Sequence, residues 1–143
     1  MITSITCTNK FGKPDIEFER QYMVVWKVSD AIRAKIPVLP QKIYCHKLMV
    51  EPLTKAFKNS IERGLIAEFI TWDGCFCIRR KRAQNTLSIH SWGLAIDINA
   101  KDNAFGTKPT MSAELVKCFT DVGFEWGGKW SKPDGMHFQL AKI

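Results

Sequence analysis

The chain reads as an α+β protein in which a small antiparallel sheet carries the chemistry and helices lie before and beside it. Two stretches, residues 93–99 and 136–141, alternate apolar and polar side chains with the period of a strand. Three others repeat apolar residues every three or four positions, as helices with one buried face do. Proline, glycine and aspartate fall between these stretches, and there is no internal repeat, low-complexity segment or linker. A chain of 143 residues is expected to form one domain, 1–143, with a sizeable core.

Taken in order, residues 18–34 predict a helix with Tyr22, Val25, Trp26, Ser29 and Ile32 on one side. The run Ile36-Pro37-Val38-Leu39-Pro40 ends it. Residues 52–63 predict a second helix: Leu53, Phe57 and Ile61 are spaced four apart, Pro52 suits a first turn and Gly64 a stop. Residues 68–72 and 75–78 flank Asp73-Gly74 and predict a hairpin. The stripe Leu115, Val116, Phe119 and Val122 predicts a short helix stopped by Gly123. In the aromatic run from position 124 to 130, Phe124 reads as core. Gly127-Gly128 lets the chain turn sharply there, which is expected to bring Trp126 or Trp130 to the rim of a cleft.

Both predicted strands carry reactive groups. Leu94, Ile96 and Ile98 point one way, and Ala95, Asp97 and Asn99 the other. In the last segment Met136, Phe138 and Leu140 oppose His137, Gln139 and Ala141. If the two strands are neighbours, Asp97 and His137 meet on one side of the sheet. His90 is an odd number of residues from Asp97, so the chain must bend through Ser91-Trp92-Gly93 before all three can share an ion. Pro133-Asp134-Gly135 reads as a tight turn that leaves Asp134 beside that ion. Two imidazoles and a carboxylate suit catalytic zinc, which takes three protein ligands and keeps a fourth position for water. A second carboxylate, Asp134, is then placed to act as a base. The third histidine, His46, has no partner motif and reads as structural.

The pattern Ser88-x-His90-x-x-Gly93-x-Ala95-x-Asp97-x-Asn99 is followed by Gly123-Phe124-x-Trp126-Gly127-Gly128-x-Trp130 and Asp134-Gly135-Met136-His137-Phe138. Together these resemble the zinc peptidases that cut peptidoglycan stem peptides. That group comprises the D-alanyl-D-alanine carboxypeptidases and dipeptidases and a phage branch, the L-alanyl-D-glutamate endopeptidases. The resemblance covers roughly residues 40–138, about two-thirds of the chain, and is tightest to phage endolysins. It implies a hedgehog/DD-peptidase-like fold, Zn2+ held by His90, Asp97 and His137, and Asp134 as general base. It also implies that Arg79 stabilises the scissile carbonyl. Many relatives carry Glu where this chain has Asp134, Asn-Pro where it has Cys77-Ile78, and Asn in place of His46. Ser88 is expected to hydrogen-bond substrate, to orient the metal site, or to serve as a turn hydroxyl.

Composition narrows the partners. Hydrophobic content is 45% and charged content 24%, ordinary for a soluble globular protein. No run approaches a membrane span. Residues 1–6 lack a basic region followed by an apolar stretch, so residence in the host bacterial cytoplasm before release to the cell wall is expected. Cys7, Cys45, Cys75, Cys77 and Cys118 make an odd count, which fits a reducing compartment, and packing as small hydrophobes is expected. Extended spacing would put the Cys75 and Cys77 thiols on one face, without a second cysteine pair to complete a metal site. Net charge is +7, from 21 Lys and Arg against 14 Asp and Glu, and its densest run is Arg79-Arg80-Lys81-Arg82. Such a surface attracts an anionic envelope. No helix-turn-helix, RNA-binding aromatic motif or zinc-finger spacing is present, so nucleic acid is not the expected partner. With the resemblance above, the expectation is a monomeric zinc endopeptidase of peptidoglycan, an endolysin without a separate cell-wall-binding module. The alternatives are a D-alanyl-D-alanine carboxypeptidase or dipeptidase, and a catalytically silent zinc-fold binding module.

Overall fold

The elements follow from local signals that compete along the chain. The computed structural model describes residues 1–81 and 84–143, so Arg82 of the basic run lies outside the described residues. Helices α1 (Ser4–Phe11) and α2 (Ile16–Tyr22) start at Thr3 and Asp15, whose side chains accept from the backbone N–H of Thr6 and Phe18. Strand β1 (Met23–Lys27), helix α3 (Asp30–Lys35), strand β2 (Lys42–His46) and helix α4 (Val50–Glu62) follow. Then come β3 (Trp72–Gly74), β4 (Ala95–Ile98), α5 (Ala113–Thr120), β5 (Phe124–Trp126) and β6 (His137–Leu140). No helix among the described residues is long and apolar enough to cross a membrane.

The α+β expectation holds, with two antiparallel sheets instead of one. The single helix predicted over 18–34 is a correction: it is α2, β1 and α3 in succession. Met23-Val24-Val25-Trp26 is β-branched and aromatic, which favours a pleated ribbon over a helix. β1 pairs antiparallel with β2, Val24 opposite Cys45, and leaves Val25 64% exposed where the helical stripe would have buried it.

The predicted hairpin over 68–78 is a second correction. β3 pairs with β4, Trp72 opposite Ile98, while residues 75–81 run beside residues 86–91. Cys77 N–H donates to the His90 carbonyl and Ser88 N–H to the Arg79 carbonyl. β4 is buried, so its backbone groups need a partner on each edge, and β3 fills one of them. Cys75 is buried and Cys77 exposed, so the two thiols do not share a face; Cys7, Cys45 and Cys118 are buried and unpaired by disulfide.

The second sheet runs β3-β4-β6-β5. Asp97 lies opposite His137, Ile96 opposite Phe138, and Ala95 opposite Gln139. On the apolar face Phe138 stacks on Phe119 of α5 at 4.6 Å and Trp126 stacks on Phe138 at 6.4 Å. The other face carries the polar groups.

Candidate metal centre

Asp97 and His137 meet because they are register partners on the polar face of β4 and β6. His90 reaches them from a 3₁₀ turn, Ile89–Trp92, which Ser88 caps by accepting from His90 N–H at 3.3 Å. Gly93 ends that turn with φ 66°, and a Cβ there would lie 2.7 Å from the backbone nitrogen of His46. The bend needed to bring His90 round to Asp97 is therefore built by the residues expected to build it.

His90 Nε2 lies 3.2 Å from Asp97 Oδ2, His137 Nδ1 lies 3.4 Å from Asp97 Oδ1, and the two ring nitrogens are 3.2 Å apart. His90 Nδ1 is 2.6 Å from the Cys75 carbonyl oxygen, which can only accept. The neutral ring therefore carries its proton on Nδ1, and Nε2 presents a lone pair. Asp97 presents two more acceptors, Oδ2 toward His90 Nε2 and the buried Oδ1 toward His137 Nδ1. Burial opposes the Asp97 charge, but the imidazoles of His137 and His90 outweigh it and hold the carboxyl well below the usual carboxylate range. A cluster of two imidazoles and an ionised carboxylate, with its ligand atoms all within 4.8 Å of one another, fits a cation of zinc type.

Burial would lower the His137 pKa, yet the hydrogen bond and charge of Asp97, then Gln139 and Asp134, raise it. A proton on His137 would compete with a bound cation, so affinity for one would rise with pH.

Asp97 and His137 floor a cleft of about 410 Å³ whose wall includes Arg79, Ser88, Trp130, Lys132 and Asp134. The turn begins at Asp134, one residue later than Pro133: Asp134 N–H donates to Gly127 O at 2.9 Å, and His137 N–H donates back to Asp134 O at 3.1 Å. Gly127 allows this closeness, since a Cβ there would sit 2.7 Å from Asp134 O and 3.3 Å from His137 Cβ. Arg79 is exposed at the mouth, its backbone N–H donating to Ser91 Oγ at 3.2 Å.

The two tryptophans differ in face. Trp130 lines the cleft with its ring 5.3 Å from that of His137, and its indole N–H donates to Glu125 at 2.7 Å. Trp126 pairs with Phe138, lies on the opposite, apolar face, and donates to the Gly135 carbonyl at 2.9 Å. The period of a strand separates it from the ligands. His46 lies apart from the cluster, buried against Phe11, Phe18 and Tyr22.

Sequence reasoning missed Lys132, Glu125, the Cys75 carbonyl and Gln139. Gln139 had a readable signal, a polar residue in phase with His137 on a strand. The carbonyl had none, because a backbone acceptor leaves no trace in residue identity.

Residues 81–140 match the sequence model of a family described as D-alanyl-D-alanine carboxypeptidase. The match supports a peptidoglycan-related metallopeptidase. It takes in His90, Asp97, Asp134 and His137 and begins after Arg79. No curated protein and no solved structure matches the chain.

Proposed function

We propose that the protein is a zinc-dependent peptidoglycan hydrolase that cleaves the L-Ala–D-Glu bond of the stem peptide. One observation carries this reading: acceptors from His90, Asp97 and His137 converge on one another, and the cleft that Asp97 and His137 line also holds a second carboxylate and a guanidinium. Zinc held by those residues would supply Lewis acidity that makes a water more acidic. The Asp134 carboxylate takes the proton of the attacking water and returns it to the leaving nitrogen. Arg79 holds the carbonyl oxygen as negative charge builds on it. Trp130 forms one wall against the substrate, while Ser88 keeps the His90 turn in place. Lys81 and Lys132, also in the wall, suit the carboxylates of a stem peptide, and the net charge of +7 suits an anionic envelope.

The description of the matched family favours a second reading, removal of a terminal D-Ala. Mass spectrometry of fragments released from purified peptidoglycan separates the two. A new D-Glu amino terminus supports the endopeptidase, and free D-Ala with a shortened stem supports the carboxypeptidase. Release of neither product by the zinc-loaded protein would overturn both and leave a silent binding module.

A further inference from the structure

His137 is held on the side away from the cluster by Gln139. The ring Nε2 lies 2.9 Å from Gln139 Oε1, and Gln139 Nε2 donates to the Ile2 carbonyl at 3.3 Å. Both side chains are buried, His137 at 5% and Gln139 at 2% exposure. The Ile2 carbonyl can only accept, so it fixes which end of the Gln139 amide faces it. The amide oxygen then faces His137 and can only accept in turn. The neutral ring must therefore carry its proton on Nε2 and offer the Nδ1 lone pair to the cluster.

We propose that Gln139 is a positioning residue that selects the metal-binding tautomer of His137, and that the backbone at Ile2 sets the orientation of Gln139. The proposal rests on the metal reading above. Residues that hold a ligand's remote N–H typically contribute 10–100-fold to metal affinity.

The test compares Gln139→Met, which removes the acceptor at similar length, with Gln139→Glu, which keeps an acceptor for His137 and loses the donor to Ile2. Zinc affinity is read by chelator competition in the full-length protein. Nitrogen-15 NMR of the metal-free protein, at a pH high enough to neutralise the ring, reads the His137 tautomer. The expected result is an Nε2–H ring in the wild type, zinc affinity about 10–100-fold weaker for Gln139→Met, and substantial recovery for Gln139→Glu. A merely structural Gln139 would leave the tautomer unchanged and show no preference for the acceptor variant. An Nδ1–H ring in the wild type would overturn the proposal even if neither variant folds. Equal zinc affinity in wild type and Gln139→Met would overturn it while sparing the metal reading, which fails only if the wild type binds no zinc.

Discussion

The β4–β6 pair buries His90 and His137 beside a carboxylate, whereas the end of β2 buries His46 among the rings of Phe11, Phe18 and Tyr22. All three are out of solvent, so burial does not distinguish them. Their neighbours do. At the cluster, carbonyl and amide oxygens take the outer N–H groups and turn lone pairs inward. At His46 the Nδ1 lone pair is used up by Leu48 N–H at 3.1 Å, and Nε2 faces no hydrogen-bond partner among the described residues. Burial, with Lys47 adding to it, lowers the His46 pKa to about 4 and keeps the ring neutral. A buried histidine is available as a ligand when its second nitrogen is held by an acceptor and its first converges on other acceptors.

The sharpest way to break this contrast is to remove each ring in turn. His90→Ala or His137→Ala should reduce bound zinc from near one per chain to near none and abolish cleavage. His46→Asn should retain both, as read by metal analysis of the purified proteins. Zinc loss from His46→Asn would merge the two regions into one site.

Within the cleft, Asp134→Asn should keep metal and fold yet lower kcat by about 10²–10⁴-fold, because it removes the proton acceptor alone. If zinc leaves with activity, Asp134 is a ligand instead.

Arg79→Ala should lower kcat on a small soluble stem peptide by about 10²-fold with zinc content unchanged. Arg79→Lys should recover only part of that loss, since an ammonium lacks the planar fork of guanidinium. A soluble peptide removes the contribution of envelope attraction, so an unchanged rate for Arg79→Ala would end its assignment to the carbonyl.

The smallest effect lies at His46. The folded ring titrates near 4 and the unfolded ring near 6.5, so the unfolded chain binds the extra proton between those values. Stability from this group is therefore present above that window and falls as pH drops through it. Denaturant melts of the metal-free protein at pH 7 and 4.5 should show a shallower pH dependence for His46→Asn than for wild type. Equal slopes would place the acid sensitivity elsewhere.

Sequence alone determined the face of the sheet that carries the candidate ligands. Alternation is local and exact to one residue, so Asp97 and His137 were in phase before any contact was known, and Gly93 marked the bend that His90 required. The apolar spacing in α4 and α5 was legible for the same reason. Tertiary structure decided what propensity left balanced. Residues 23–27 became a strand because β2 offered a partner, and residues 72–74 joined β4 because a buried strand cannot leave an edge unpaired. It also chose Trp130 over Trp126 for the cleft, by the register of β5 on β6. The Cys75 oxygen that orients the His90 imidazole lies 15 residues from that ring. Only the folded chain brings such a group within hydrogen-bond reach, because a hydrogen bond depends on distance in space and residue identity records none.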